Sequence, residues 1–462
     1  MPHGDDGMLN NFEYKGVWYL PEKPEDLVAG TLRFNPTEGA ILELIGSFKD
    51  IQSMNRLTEH EIILGSCGKK ITLCKCSEIS SQMQSEGVLS STFYADLVFV
   101  DHHFKRKEDI KFKTASIHFS HLNEWVHLTG FEIIFPTGKK GVTINYALPD
   151  SVLLAEFEDW KISIELRATG PTIPPPKREM TIKEKTHIKI ESSEEKPFEE
   201  YLKATRHIQN FLSLATLNPV HPLTFEGQTE ACKLTMKEKT IYPPIEICFR
   251  LQFPPTAPKA VFPQEMLFMF ADMQGKTQSI LENWRKKQDT LKPVFDLYFS
   301  TLYNPKMYLE HEFLNMVQAI ESYHRRTMKN FEMAEDEHTK RVEEILKAAP
   351  TGQKEWLKEQ LEYSNEPKLR RRLKELLEET PDNAHKIIKD SKSFIQKVVI
   401  TRNYLTHYDE KLKDQAAQKE ELLKLTLKIK MLLETTFLKE LGFDEDTIKK
   451  LVSRNRAYER MI

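Results

Sequence analysis

The sequence carries almost no net charge. Its 66 lysine and arginine residues are balanced by 69 aspartate and glutamate residues, which leaves a formal charge of -3 over 462 residues. Proteins that bind nucleic acid over a large part of their surface have a marked basic excess. The balance excludes that class, and any RNA site must therefore be local.

Cysteine is also scarce. The five cysteines are an odd number and lie far apart along the chain, which excludes a regular disulfide framework. Cys67, Cys74 and Cys76 lie close together, but no second Cys or His pair follows at the spacing of a zinc site. We expect reduced cysteines, no metal site and no cofactor.

Long apolar runs are missing as well. No window approaches the roughly 18 consecutive apolar residues that a membrane span needs. The first seven residues lack the basic and apolar stretches of a signal peptide. These absences predict a cytoplasmic protein without a membrane partner.

The sequence does contain enough apolar material for more than one core. Hydrophobic residues make up 40% of the chain, which is longer than one core usually supports. We expect an α+β protein with an antiparallel β-rich N-terminal domain over residues 1–170. A mixed segment over 171–277 is either its continuation or a second subdomain, and an all-α bundle follows over 278–462.

Short runs of strand-forming residues carry the β-rich prediction. Runs at 31–34 and 40–45 flank Asn, Pro and Gly turn residues, and runs at 61–64 and 70–74 flank a second turn, which predicts two hairpins. Further predicted strands lie at 95–100, 131–135, 141–146 and 160–166. Together they indicate a sandwich or a barrel-like sheet, and Trp18 is interpreted as part of an apolar strand. The proline-rich stretch 170–177 is interpreted as a connector, and beyond it we expect a strand at 181–190, a helix at 198–214 and strands at 241–253.

Helical periodicity dominates from residue 278 onwards. Helix-ending signals occur near Pro350, Pro367 and Pro381, which is typical of a bundle of helices joined by turns. Three helices are predicted from apolar spacing, carrying Phe313, Val317, Ile320 and His324; Ile387, Phe394, Val398 and Leu405; and Leu423, Leu427, Ile429, Leu432 and Leu433.

A polar run interrupts the second of these helices. Arg402 and His407 enclose four residues, and nowhere else in the chain does an arginine precede a histidine by four to six intervening residues. Asn403 lies four residues before His407, so we predict that its amide hydrogen-bonds the imidazole and fixes its orientation. Arg402 lies about 140° around the helix from His407. Without a family, ordinary surface or interface residues explain this pair equally well.

Arginine and histidine at such a site suit RNA cleavage without a metal. The 2'-hydroxyl attacks the adjacent phosphate, and the reaction needs a base, an acid and positive charge near the phosphate. Histidine titrates near neutrality and arginine binds phosphate oxygens. Because the motif holds one histidine, we predict a symmetric dimer that places two motifs across one groove.

The motif and its surroundings resemble a known family. The run 402–407, with the apolar helix before it and Tyr408-Asp409 after it, resembles the Arg-x4–6-His motif of HEPN domains. The run 313–326 resembles the first core helix of those domains. The runs 16–21, 30–36 and 42–48 are similar to the N-terminal domain of ApeA-type proteins, which are bacterial HEPN proteins associated with abortive anti-phage defence.

The resemblance implies a metal-independent endoribonuclease that acts on structured RNA such as tRNA. It further implies a homodimer or higher homo-oligomer that is restrained until an unknown phage-derived trigger appears. Under it, His407 is the general acid or base, Arg402 stabilises the phosphate and Asn403 orients a group or contacts RNA. Glu321 and Arg325 are second-rank supporting residues, whose alternative is an ion pair four residues apart on a solvated helix face.

Two other functions remain open at this stage. A non-catalytic HEPN protein would use the bundle to bind RNA or a partner, and a carbohydrate- or peptide-binding protein would rest on the β-rich fold alone. The basic run 368–374 either follows an RNA backbone or forms the solvated face of an amphipathic helix, and the flanking glutamates favour the solvated face.

Overall fold

The computed structural model describes residues 7–49, 56–83, 89–135, 141–176, 178–236, 239–251 and 260–459. The chain divides into two units, one formed by residues 1–263 with 269–278 and the other by residues 264–268 with 279–462. The first unit is rich in strands and the second is helical, which confirms the predicted α+β order.

The strands of the first unit, in chain order, are β1 Phe12–Leu20, β2 Lys23–Asn35, β3 Gly39–Ile45, β4 Glu59–Ser66, β5 Lys70–Met83, β6 Leu89–Val100, β7 Lys111–Phe119, β8 Phe131–Ile134, β9 Thr143–Tyr146, β10 Val152–Glu156, β11 Trp160–Thr172, β12 Thr181–Pro197, β13 Pro222–Gln228, β14 Leu234–Met236, β15 Lys239–Ile241 and β16 Ile245–Phe249. Its helices are α1 Leu122–Val126 and α2 Phe198–Thr216.

The first six strands close into an antiparallel barrel. Their order around the barrel is β6-β3-β2-β1-β4-β5, and β5 pairs with β6 to complete the circle. Both predicted hairpins are present, as the pairs β2 with β3 and β4 with β5. The sequence left a sandwich and a barrel open, and the barrel is the observed form.

Strand β6 joins the barrel to a second sheet. Its residues 90–95 pair with β3, whereas its residues 97–100 pair with β16 on the same edge. The second sheet continues in the order β16-β13-β7-β12-β11-β10. The proline-rich stretch 170–177 connects β11 to β12, which pair within this sheet, and residue 177 lies outside the described residues. The predicted strands at 241–253 correspond to β16, with residues 252 and 253 outside the described residues.

An apolar cluster fills the barrel. Trp18 is fully buried in it together with Leu32, Phe93 and Val98. Gly65 on β4 faces the indole, and a Cβ atom added there would lie 2.2 Å from Trp18 Cζ3. The glycine is therefore a packing requirement, because any larger residue would overlap the ring.

The second unit is built from α3 Thr277–Thr290, α4 Lys292–Leu302, α5 Leu309–Thr327, α6 Glu335–Ala348, α7 Lys354–Leu361, α8 Leu369–Glu378, α9 Asp382–Ile388, α10 Ser391–His407, α11 Lys419–Leu441, α12 Glu445–Arg454 and α13 Arg456–Glu459. Helix α5 lies at the centre and packs against α4, α8, α10 and α11. The four residues predicted on its inner face, from Phe313 to His324, are all buried. No helix among the described residues is long and apolar enough to span a membrane.

Two details of the predicted helices were wrong. Ile387 belongs to α9 and not to the helix of Phe394, because the chain breaks at Lys389, where φ is 66°, and restarts at Asp390. The Asp390 carboxylate accepts hydrogen bonds from the backbone N–H groups of Lys392 and Ser393 and so caps α10. On α11, Leu423 is exposed and its neighbour Leu422 takes the buried position.

Candidate active site

Helix α10 carries the polar run at its C-terminal end. Phe394, Val398 and Leu405 form its buried face, and the helix ends at His407, where Tyr408 takes a left-handed conformation with φ of 51°. Thr401 is fully buried, and its hydroxyl accepts a hydrogen bond from the backbone N–H of Ala417 at 2.9 Å. That bond ties the segment after α10 to the helix beside Arg402.

The Arg402 guanidinium is held from two sides. Its Nη2 lies 3.6 Å from a carboxylate oxygen of Glu321 on α5. Its Nη1 donates a hydrogen bond to Oδ1 of Asn403 at 3.2 Å. Because the side chain remains about one third exposed, the guanidinium is oriented and still open to a ligand.

Asn403 therefore has a different role from the predicted one. We expected its amide to bond the His407 imidazole, but its Oδ1 accepts from Arg402. A charged donor next to an amide oxygen makes a strong hydrogen bond. The predicted bond to His407 is absent from the structure.

His407 is the last residue of α10 and its side chain is exposed. Within the described ranges, no other residue bonds to its imidazole. His407 lies five positions after Arg402 on the helix, which corresponds to about 7.5 Å along the axis and about 140° around it. The two side chains therefore face different directions within one chain.

The second-rank residues lie beside the motif. The alternative of a Glu321–Arg325 pair is not observed, because Glu321 pairs with Arg402 and Arg325 pairs with Glu366. Both residues line a cavity of about 970 Å³ that Arg402 and Asn403 also line. The structure thus brings together four of the five predicted site residues, and His407 lies outside that cavity.

Comparison with protein families matches nearly the whole chain. The family model described as ApeA N-terminal domain 1 matches residues 13–284, more than half of the chain. The chain belongs to the ApeA family. The model described as Apea-like HEPN matches residues 314–447, a range that contains every predicted site residue. No curated protein and no solved structure gives a significant match.

The two family matches confirm the predicted order, with the ApeA domain before the HEPN domain, and identify a HEPN-type defence protein. Domains of the HEPN family usually have ribonuclease activity. In this ApeA-family protein, the HEPN match begins within α5 and ends within α12. The cavity next to Arg402 therefore lies in the HEPN domain.

The basic run 368–374 forms the start of α8, an amphipathic helix as predicted. Leu369, Leu373 and Leu377 form a buried face, as an amphipathic helix requires. The predicted solvated face, however, lines the same cavity as Arg402 through Arg370 and Lys374. Glu375, one of the flanking glutamates, turns towards the protein, where it bonds His324.

A buried polar network locks α8 onto α5 below this cavity. His324 is fully buried, its Nε2 lies 2.6 Å from Glu375 Oε2, and its Nδ1 lies 3.0 Å from Arg372 Nη1. Since arginine can only donate, Nδ1 is the acceptor and Nε2–H donates to Glu375. Burial lowers the pKa of His324 below its ordinary value, so the imidazole remains neutral at pH 7. The sequence treated His324 only as a packing residue.

The described residues contain no group of three or more His, Cys, Asp or Glu side chains that could together hold a metal ion. The five cysteines are unpaired with one another. Burial raises the pKa of the Cys74 thiol to about 12, so it stays protonated at its buried position on β5.

Proposed function

We propose that this ApeA-family protein is a metal-independent endoribonuclease of anti-phage defence. The observation that carries the proposal is Arg402, fixed by Glu321 and Asn403 at the edge of a cationic cavity in a matched HEPN domain. The proposed substrate is structured RNA such as tRNA. The β-rich unit would sense a phage-derived trigger in the cytoplasm and restrain the helical unit until then.

In the proposed reaction the 2'-hydroxyl of the RNA is the nucleophile. His407 takes the proton of that hydroxyl or supplies one to the leaving 5'-oxygen, because imidazole exchanges protons near neutral pH. Arg402 donates hydrogen bonds to the phosphate oxygens as negative charge builds up on them. Asn403 and Glu321 act through Arg402 by fixing the plane of its guanidinium, and Arg325 supports them through the wall of the cavity.

A symmetric dimer completes the proposed site. Within one chain, Arg402 and His407 face directions about 140° apart and one histidine serves one protonation role at a time. Two motifs across a shared groove would provide a base, an acid and two cations. Exposure of both His407 and Tyr408 at the end of α10 is compatible with such a groove.

The first experiment measures cleavage of total RNA and tRNA by the purified full chain in EDTA, with analysis of the RNA ends. Wild type should leave 2',3'-cyclic phosphates, and His407→Ala and Arg402→Ala should reduce the rate by at least about 100-fold, as for loss of a general acid or base. The matched controls are His311→Ala and Arg341→Ala, which remove exposed helical residues far from the motif in sequence. RNA that stays intact with wild type under inducing conditions would contradict the proposal.

A mixing experiment tests the shared site. Excess His407→Ala protein added to wild type should form mixed dimers and suppress cleavage in proportion to their fraction, because each groove would lack one histidine. Light scattering should show at least a dimer. Additive activity of the two proteins would show that each subunit works alone.

The second candidate function is a non-catalytic HEPN protein that binds RNA or a partner. The observation in its favour is that His407 has no bonding partner among the described residues and does not line the cavity of Arg402. In that case the double variant Arg402→Ala/His407→Ala would retain the defence phenotype. Loss of the phenotype together with loss of cleavage would exclude this candidate.

A further inference from the structure

The cavity beside Arg402 has a strong excess of positive charge. Eight arginine and lysine side chains line it, against three glutamates. The molecule as a whole is almost neutral, so this excess is a local feature of α5, α8 and α10. A cavity of this charge favours an anionic ligand.

Most of these cations are already paired. Five of the eight form ion pairs: Arg325 and Arg372 with Glu366, Arg371 with Glu332 and Glu375, Lys374 with Glu378, and Arg402 with Glu321. Pairing fixes their positions and offsets part of their charge. They therefore build the walls of the cavity more than they attract a ligand.

The other three cations that line the cavity are exposed and form no ion pair among the described residues. Lys368, Arg370 and Lys392 line the cavity, and within the described part of the chain their side chains form no ion pair or hydrogen bond. Lys368 and Arg370 lie at the start of α8, which has no side-chain cap, and Lys392 lies in the first turn of α10. At α8 the uncapped backbone N–H groups add to the attraction for an anion, whereas the first N–H groups of α10 already bond the Asp390 carboxylate.

The same cavity also offers apolar surface. Pro367, Leu369 and Ile395 line it and are themselves nearly buried, so they form a firm apolar wall between the cations. An unpaired nucleotide can use both features, because the face of its base is apolar and its phosphate is anionic. Inorganic phosphate alone would use only the cations.

We propose that Lys368, Arg370 and Lys392 bind backbone phosphates of the RNA strand next to the phosphate held by Arg402, with a base of that strand against Leu369 and Ile395. This inference rests on the proposed function, because it takes RNA as the ligand of the site. Contacts of this kind are independent of base sequence and position the strand for cleavage.

The test uses the full chain and a fluorescent 12-nucleotide single-stranded RNA that carries 2'-O-methyl groups, so that it binds without being cut. The triple variant Lys368→Gln/Arg370→Gln/Lys392→Gln should raise the Kd at least about 10-fold. It should also reduce the slope of log Kd against log salt concentration by about 2, since each phosphate contact on a single strand contributes about 0.7. The double variant Lys368→Arg/Lys392→Arg, which keeps both charges, should bind the RNA with the Kd of wild type.

The matched control is Lys340→Gln/Arg341→Gln/Lys347→Gln on α6, which removes the same charge from exposed positions outside the cavity. It should change the Kd less than about twofold, within the effect of net charge alone. Equal weakening by both triple variants, or an unchanged salt slope, would overturn the inference. Binding of AMP as tight as that of the 12-nucleotide strand would also overturn it, because the cavity would then be a site for a single nucleotide.

Failure of this inference and failure of the proposed function give different results. If wild type cuts unmodified RNA and the cavity variant cuts it with unchanged KM, the ribonuclease stands and the subsite is wrong. If the cavity variant loses RNA binding but wild type cuts no RNA, the phosphate subsite is supported, and so is the second candidate function, a non-catalytic HEPN protein. In an active enzyme, the triple variant should raise KM and leave kcat within about threefold.

Discussion

The barrel and the helices around α5 fill their interiors with different chemistry. The barrel cluster contains aliphatic and aromatic side chains with neutral cysteines, and Gly65 leaves room for Trp18. The interior around α5 and α11 buries His324, Arg372 and Glu434, each with hydrogen-bond partners. Apolar packing provides stability, whereas buried polar groups cost desolvation and mainly fix geometry. The proposed site lies beside this polar interior of the helical unit.

The largest expected effect concerns the barrel. Trp18→Ala should destabilise the β-rich unit by about 3–5 kcal/mol, because it removes a fully buried aromatic ring and leaves a cavity. Trp356→Ala is the control in the helical unit, where the indole is 59% exposed, and should change stability by less than about 0.5 kcal/mol. Denaturant unfolding followed by hydrogen exchange of separate peptides would measure both units. Equal losses from the two substitutions would remove the contrast between the interiors.

The next effect tests the fit between ring and glycine. Gly65→Ala should cost about 1–3 kcal/mol or more, because the added Cβ atom overlaps the Trp18 ring and the core must shift. Gly352→Ala is the matched control, since nothing lies within 4 Å of its added Cβ atom. Combined with Trp18→Ala, the Gly65→Ala cost should shrink, because the clashing ring is gone. Full additivity would mean that the two residues do not touch in solution.

The same contrast explains what the sequence could predict. The hairpins β2–β3 and β4–β5 were found because turn residues and strand formers are neighbours in the chain. Closure of the barrel was not, because it depends on pairing β1 with β4 and β3 with β6, which are distant in sequence and which no local pattern specifies. Likewise the motif of α10 was visible as a run, whereas its partner Glu321 lies 81 residues earlier and only packing of α5 on α10 brings the two together.

The error at Asn403 has a similar cause. Helical spacing placed its amide near His407, but spacing cannot say which of two neighbours a side chain will choose. The adjacent guanidinium of Arg402 is charged and took the bond. The capping residue Asp390, in contrast, could have been predicted from sequence, since aspartate is among the preferred residues at a helix N-cap.

The two units should respond to pH in opposite directions. In the β-rich unit, burial lowers the pKa of His187 to about 3 and that of His221 to about 4. A depressed histidine pKa contributes stability that is present above the unfolded value near 6.5 and is lost as pH falls towards the folded value. In the helical unit, burial raises the pKa of Glu434, which accepts hydrogen bonds from Tyr298 and Tyr458. That contribution is full below about 4.5 and is lost as pH rises through the folded pKa.

The difference in melting temperature between a variant and wild type isolates the contribution of one side chain to the pH dependence of stability. The melting temperature of His187→Gln minus that of wild type should rise as pH falls from 7.5 to 4.5, because only wild type must protonate a buried imidazole on unfolding. The same difference for Glu434→Gln should rise as pH increases from 5 to 9. Gln360→Ala, at an exposed position on α7, removes no ionisable group, serves as the control and should give a flat profile. If the melting-temperature differences of His187→Gln and Glu434→Gln changed with pH in the same direction, the predicted opposite pH dependence of the two units would be contradicted.

The smallest expected effect concerns the partner of Arg402. Glu321→Gln removes a carboxylate 3.6 Å from the guanidinium, but both side chains are about one third exposed, so the pair is worth at most about 1 kcal/mol. Stability should therefore hardly change. Cleavage of RNA should fall by no more than about fivefold, mostly in kcat, because Glu321 positions Arg402 and does not touch the substrate. Glu310→Gln, at the exposed start of the same helix, removes the same charge as a control. A loss as large as that of Arg402→Ala would mean that the carboxylate itself takes part in the reaction.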